Sequence, residues 1–346
     1  MTTTDAPLAP WSISPPEFPE AGGAAEKLTF LLRYAVLAPS GHNTQPWLFS
    51  VVGDTVALYA DRTQALAVVD PDDRALTISC GAALFNLRVA LRRFGYRDDT
   101  YELLPDRDDA DLLAFLRLVE GEPPSPEEEA LFEAIPKRRT TRAAYDERDV
   151  PIELKRELEA DAAQEGAWLH LVPDAERRPV AELIAAGDRA QMADKRFRRE
   201  LAAWVHPNRS RARRGMRGYG FGFRDLMSHA GPLVIRTFDI GKGQAAKDHE
   251  LAERSPLLGV LGTAADTPRA WLAAGQAMER ILLRVCAHGL TSSFLNQPVE
   301  VDDLRPRLAE AIGRGGENPQ LVMRFGYGPD VAHSPRASLE DVVIER

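Results

Sequence analysis

Cysteine is almost missing from this chain. Cys80 and Cys286 are the only two in 346 residues, and neither stands in a CxxC or other zinc-like spacing. That excludes a disulfide framework or a cysteine-based metal site as the organising device, and both thiols are expected to be reduced core residues. Long apolar runs are missing too, since no stretch approaches the ~20 residues a membrane span needs. The segment Met1–Pro19 has neither a basic start nor an apolar centre, so no secretory signal is read there. The expectation is a cytoplasmic protein with no membrane partner and a flexible, proline-rich tail over residues 1–23. Positive charge is also in deficit: 43 basic against 52 acidic residues give a formal net charge of −9. General nucleic-acid binding is therefore disfavoured, because phosphate backbones need clustered positive charge. The seven histidines show no HExxH or other paired metal spacing, and no metal is expected.

What remains is an ordinary globular composition, 44% hydrophobic and 27% charged. The length suits two domains or one large pseudo-symmetric unit. Apolar positions Leu28, Leu31, Leu32, Ala35 and Val36 have helical spacing over residues 24–37, and Ala38-Pro39-Ser40-Gly41 stops that helix. Strands are expected at 47–52 and 56–59 about the Gly53-Asp54 turn, and at 113–119. A helix with a small-residue face is expected over 73–93. The stretch Gly121-Glu122-Pro123-Pro124-Ser125-Pro126 reads as a linker.

A weak repeat runs through this pattern. Gly81-Ala82-Ala83-Leu84 and Gly275-Gln276-Ala277-Met278 open similar helices, and Gly95 and Gly289 follow at the same interval, where each helix is expected to end. The helix-plus-strand around Trp47 is echoed around Trp168. Duplication is the simplest account, with halves at 24–126 and 127–346. Only the second carries an insertion, expected at about 175–230.

Ala38-Pro39-Ser40-Gly41-His42-Asn43-Thr44-Gln45-Pro46-Trp47 closely resembles the APSxxNxQPW loop of the nitroreductase superfamily. Lys137-Arg138-Arg139-Thr140-Thr141-Arg142 resembles the basic segment that normally opens a subunit of that family. Residues 319–327 resemble its late strand ending in Gly-Tyr. Ser334-Pro335-Arg336 resembles its C-terminal phosphate-binding arginine. The likeness covers roughly residues 24–346. The order of motifs is unusual. The first half has the loop without a basic segment before it, and the second has the basic segment with its loop reduced to Gln164-Glu165-Gly166-Ala167. This resembles the Acg-like branch, in which one fused chain imitates the usual dimer.

The resemblance implies an α+β fold of two fused related halves, with mixed, mainly antiparallel sheets flanked by helices. It implies one FMN per chain and a monomer acting as a pseudo-dimer, with NAD(P)H and a small electron acceptor as partners. Arg138, Arg139, Thr140, Arg142 and Arg336 supply the forks and hydroxyl that a phosphate dianion wants. Pro39, Ser40 and Asn43 would reach the ring by resemblance, and Asn296 is selected near the ring N5. No side-chain acid or base is demanded, since the flavin carries the chemistry. Two functions stay open: hydride-transferring oxidoreductase, or flavin storage beneath a lid. The basic stretch 195–217, with nine basic residues and one acid, could be that lid or a pocket wall, a plain surface helix, or an anion- or RNA-binding face. Within roughly 190–225, Trp204, Tyr219, Phe221 and Phe223 could pack on the ring. Gly215, Gly218, Gly220 and Gly222 could act as hinges.

Overall fold

The computed structural model describes residues 6–102, 109–221, 228, 230–237, 239 and 241–346. Its first helix, α1 (Ala24–Ala35), buries Leu28, Leu31 and Leu32. Strands β1 (Trp47–Val52) and β2 (Thr55–Ala60) form a hairpin whose two-residue turn places Gly53 at φ 60°, the left-handed region that favours glycine. Helix α2 (Arg74–Arg93) follows, and Gly95 at φ 80° ends it. Strands β3 (Tyr96–Glu102) and β4 (Leu112–Glu120) complete an antiparallel sheet of order β1-β2-β4-β3.

The expected linker is one residue shorter than the sequence suggested. Pro126 is the first residue of α3 (Pro126–Ala134), because Ser125 and Glu128 form a reciprocal capping box. Then come α4 (Ile152–Gln164), β5 (Trp168–Leu171), α5 (Asp174–Ala193), α6 (Lys195–Trp204), β6 (Val205–His206) and β7 (Met216–Arg217). Next are α7 (Gly231–Thr237), α8 (Gly241–Arg254), β8 (Leu257–Thr263), α9 (Pro268–Ala287) and β9 (Thr291–Phe294). The last elements are α10 (Gln297–Glu300), α11 (Arg305–Ala311) and β10 (Asn318–Gly326). The second antiparallel sheet has the order β5-β8-β10-β9. In both sheets the strands lie first, second, fourth, third in chain order. Gly289 at φ 73° ends α9 as Gly95 ends α2.

Helices α2 and α9 cross between the sheets at their two glycines. A Cβ added at Gly81 would strike the Leu272 carbonyl and lie 3.0 Å from Gly275 Cα; one at Gly275 would strike the Ile78 carbonyl. Contrary to the sequence expectation, α2 is by length and composition apolar enough to cross a membrane, but 89% of its apolar window is buried inside the protein. It is the central core helix.

Two features differ from expectation. Residues 6–23 are not loose. Phe18 stacks on Phe94 at 4.2 Å, and Trp11 Nε1 donates to Ser334 O at 2.9 Å. Aromatic burial anchors a segment whose proline content alone suggested a tail. The insertion is also longer than 175–230, running from α5 to the end of α8. Val180, Ala181, Ile184 and Ala252 from α5 and α8 cover Leu258, Val260 and Val322 on the outer face of the second sheet. α6 and α7 reach across to Leu66 and Val69, through Phe197, Leu201 and Ile235.

The chain end returns to the first sheet. Phe49 N donates to Val342 O and Ile344 N to Phe49 O, both at 2.8 Å, so residues after Arg336 extend the β1 edge.

Candidate functional site

The loop after α1 is conformationally costly. His42, Asn43 and Gln45 have φ of 49°, 56° and 53°. Left-handed geometry at non-glycine residues costs about 1–3 kcal/mol each and persists only where surroundings fix it. Here the surroundings are remote in sequence. Asn43 Nδ2 donates to Gly215 O (3.0 Å) and Pro335 O (3.1 Å), and Gly215 N donates to Asn43 O (3.0 Å). Gln45 Nε2 donates to Arg213 O (2.8 Å), and its Oε1 accepts from Ala337 N (2.8 Å). Ser40 Oγ accepts from Gln45 N within the loop. Asn43 and Gln45 thus lock the loop to the insertion and to the C-terminal arm, while Pro39 and Ser40 face the space beyond.

That space is two adjoining cavities of about 410 and 360 Å³ that share Pro39, Ser40, His42, Arg142, Met216, Lys247 and Phe294. Both fall in the range of small-molecule sites. Asn43, Arg138, Arg139, Thr140 and Arg336 line the first, and Asn296 lines the second. All nine residues selected from the sequence therefore border this space.

The first cavity is built around arginine. Thr141 N donates to Ser292 O at 3.1 Å, which lays residues 140–141 beside β9 and directs the basic segment inward. Arg138 and Arg336 are buried. Arg336 Nη1 donates to Asn43 Oδ1 (2.9 Å) and Nη2 to Leu37 O (3.1 Å), with its guanidinium 4.8 Å from the Trp11 ring centre. Arg139 Nη2 lies 3.0 Å from His333 Nε2. Among the described residues, the buried Nε atoms of all three arginines have no hydrogen-bond partner. The fully buried acid beside them is Glu279, with Arg138 Nε 3.6 Å from its Oε1, too far for a hydrogen bond. Burial, then the charge of Arg138, lowers the Arg336 pKa to about 9. Burial, then Arg139 and Arg336, pushes His333 down to about 4. Arg139 Nη1 also lies 3.4 Å from the exposed carboxylate of Asp330, and the cluster as a whole presents cationic forks of the kind that bind a dianion.

Asn86 reaches the same Glu279 oxygen that Arg138 faces. With the amide oriented by its hydrogen bonds, Asn86 Nδ2 donates to Glu279 Oε1 at 3.0 Å and its oxygen accepts from Ala38 N at 3.2 Å. Burial outweighs Arg138, Arg336 and Asn86 and raises the Glu279 pKa to about 7. A raised acid favours the folded state only while protonated. Its penalty is absent below the unfolded value near 4.5, grows as pH rises, and is complete above 7. The shift corresponds to on the order of 3 kcal/mol. Urea midpoints of flavin-free protein are expected to fall between pH 5 and 8 by more in the wild type than in Glu279→Gln. Parallel pH curves for the two would show that Glu279 ionises normally.

The second cavity is more apolar. Phe294 and Asn296 border one side, with Met192, Phe197 and Leu201 from the insertion on another. Asn296 Oδ1 accepts from Val322 N at 2.9 Å, so this side chain also ties β10 to the turn after β9. Arg142 borders both cavities, and burial lowers its pKa.

The insertion forms wall rather than free surface. Glu200 accepts from Val68 N (2.9 Å) and Val69 N (3.0 Å), and Arg213 Nη1 pairs with Asp341 at 2.6 Å. Arg214 lies 3.7 Å from Asp61, and Arg217 Nη2 donates to Ala212 O. Several arginines of the basic stretch are thus engaged internally. Tyr219 borders the first cavity, with its hydroxyl 3.4 Å from His333 O, whereas Trp204 packs in the cluster around Leu66 and Val69. Gly215 and Gly218 are small because neighbours need the space: an added Cβ would lie 2.6 Å from the His206 ring or 2.8 Å from Ser228 Cβ. Close packing at both positions, and φ 82° at Gly215, call for glycine there. Gly222 and Phe223 lie outside the described residues.

Sequence reading missed Trp11, His42, Phe197, Met216, Glu279 and His333. His333 stands one residue before a recognised motif, and Trp11 could have been weighed as an anchor. Nothing in the local sequence marks Met216 or Glu279.

No family model matches the sequence. It is similar to the Mycobacterium tuberculosis protein named "Putative NAD(P)H nitroreductase Rv3131", at 33% identity over 325 residues, covering 92% of this chain and 91% of that one. "Putative NAD(P)H nitroreductase acg" of the same organism is 24% identical over 310 residues, covering 89% and 91%. Among solved structures, a "putative nitroreductase from anabaena variabilis" superposes with a TM-score of 0.50 at 12% identity, covering 93% of this chain and 91% of that one.

Proposed function

The chain belongs to the nitroreductase superfamily, in its Acg-like branch, and on that premise we propose that it is a cytoplasmic flavoprotein that binds one FMN between two fused halves and passes hydride through it. The observation that carries this reading is the convergence of Arg138, Arg139 and Arg336, with unpartnered buried Nε atoms, on a cavity that opens into an apolar one. Those arginines and Thr140 would hold the phosphate. Pro39, Ser40, Arg142 and the 294–296 turn would border the ring. When bound, FMN supplies hydride transfer between NAD(P)H and an acceptor. The chain contributes orientation, charge and exclusion of water. The matching strand orders of the two sheets and the Gly81–Gly275 crossing support a fused pseudo-dimer. A single flavin is favoured because the basic segment and the APS loop each occur once.

Reconstitution should give one FMN per chain by absorbance, and two would refute the single-site reading. Arg138→Ala should weaken FMN by about 1.5–3 kcal/mol, the cost of losing a charge-assisted partner. Unchanged affinity would remove Arg138 from the phosphate site.

The storage alternative draws on the insertion being fastened at Glu200 and Arg213. A wall held in this way would keep nicotinamide from the ring. Anaerobic mixing of the FMN-loaded protein with NADPH separates the two: rapid bleaching defeats storage, and absent bleaching defeats the nicotinamide-dependent enzyme.

A further inference from the structure

Asp188 and Asp248 come from α5 and α8, two helices of the insertion. Gly187 allows α10 to sit directly on α5, since an added Cβ would lie 2.6 Å from Gln297 Cβ and 2.8 Å from the Gln297 carbonyl carbon. Gln297 Nε2 thereby donates to Asp188 Oδ1 (3.1 Å) and to Asp248 Oδ2 (2.9 Å), while Gln244 Nε2 donates to the same Asp248 oxygen (2.8 Å). One amide nitrogen holds two carboxyl groups together. Both are buried, 3% and 6% exposed. Asp188 Oδ2 has no hydrogen-bond partner among the described residues, and both acids border the second cavity.

We propose that Asp188 and Asp248 form a proton-sharing carboxyl pair that acts as the catalytic acid toward a neutral, quinone-like acceptor held in the second cavity. This rests on the flavin reading above. Two adjacent buried carboxyls do not both ionise readily. Burial, followed by the charge of Asp248, pushes Asp188 up against the opposing hydrogen bond from Gln297. The surroundings suit a proton donor. Glu300 on α10 is itself raised by burial and accepts from Gln191 Nε2 on α5. Lys247 on α8, Arg142 and Arg324 on β10 also border the cavity. The charge of Asp248 acts on both arginines, so a carboxylate left behind meets compensating cations. Met192, Phe197, Leu201 and Ile235 supply an apolar wall that suits an uncharged aromatic body.

Quinone reduction consumes one hydride and one proton. The hydride originates in a dihydronicotinamide and arrives by way of the flavin. The proton comes from the pair: the carboxyl O–H bond breaks, its electrons stay on the aspartate oxygen, and the proton bonds to the quinone oxygen that gathers charge. A solvent proton then restores the pair.

The first test needs no turnover. Infrared difference titration of flavin-free Glu279→Gln, which removes the other carboxyl raised to about 7, should show a protonated-carboxyl band that titrates near neutral pH and is lost when Asp188→Asn is added. Its absence from Glu279→Gln, or its survival in the double variant, overturns the proposal. In the second test, FMN-loaded protein reduced with dithionite is mixed anaerobically with benzoquinone, or with ferricyanide, which takes electrons without protons. The wild-type quinone rate should fall as pH rises through the titration of the pair. In Asp188→Asn and Asp248→Asn, the ratio of quinone rate to ferricyanide rate should drop roughly 10²- to 10⁴-fold, the range of general acid catalysis. An unchanged ratio in a folded, FMN-loaded variant, or no electron transfer from the wild type to benzoquinone, overturns the proposal. A chain that takes up no FMN would defeat the flavin reading instead, and the infrared titration would still judge the pair.

Discussion

Gly275→Ala is expected to destabilise the folded chain by about 3 kcal/mol, although alanine is the better helix former by about 1 kcal/mol. The two effects oppose each other, and packing wins because the new methyl meets backbone. Its position collides with the Ile78 carbonyl and lies 2.9 Å from Gly81 Cα, so no side-chain rotation can relieve it. The α2–α9 crossing must open, and both helices carry fully buried residues along their length. Gly81→Ala should behave alike, since its added Cβ meets the Leu272 carbonyl. Gly243→Ala is the control. It stands in α8 with nothing within 4 Å of the new atom, so only propensity acts and stability should hold or rise by up to about 1 kcal/mol. Urea midpoints decide the matter. If Gly275→Ala unfolds at the wild-type midpoint, the close crossing is not a structural requirement.

Arg336→Met should collapse the protein's preference for FMN over riboflavin. The two ligands share a ring and differ in the phosphate, so their affinity ratio isolates what the arginine cluster contributes. Arg336 is buried and pushed below its ordinary pKa by burial and Arg138, so a nearby dianion would stabilise its charge. Losing one charge-assisted partner costs about 1.5–3 kcal/mol, so the ratio should fall roughly 10- to 100-fold. Riboflavin affinity absorbs the structural damage, because Asn43 Oδ1 and Leu37 O lose their donor with either ligand. Equal losses for both flavins would show that Arg336 braces the loop without touching phosphate.

Strands β1, β2, β4, β5 and β10, helices α1 and α2 and the ends of α2 and α9 could be read from the sequence because their signals are local, whereas β3, β8 and β9 were not read. Alternating apolar residues mark β1, the Gly53 turn sets its hairpin, and Gly95 and Gly289 stand where only a left-handed cap fits. The repeat was legible because Gly81 and Gly275 are needed at the same step of two helices. That they meet each other is a fact of packing, which no one-dimensional pattern contains. Residues 6–23 misled because proline and small polar residues suggest a loose tail, whereas the contacts of Trp11 and Phe18 come from partners as distant as Ser334.

The nine candidate residues could be selected because motif and chemistry coincided: arginine forks suited to a dianion and a loop of unusual composition. By itself the sequence marked which residues carry the chemistry a phosphate wants, and it marked strands β1, β2, β4, β5 and β10. Only the tertiary structure decided that the loop of residues 39–45 is held in its strained form by Gly215, Arg213 and Ala337. It alone placed Glu279 beneath the arginines and brought Asp188 beside Asp248 through Gln297. A buried charge is invisible in sequence because its pKa depends on which groups surround it and how much water they exclude. Those partners come from helices and loops tens to hundreds of residues away, and only folding brings them within 4 Å.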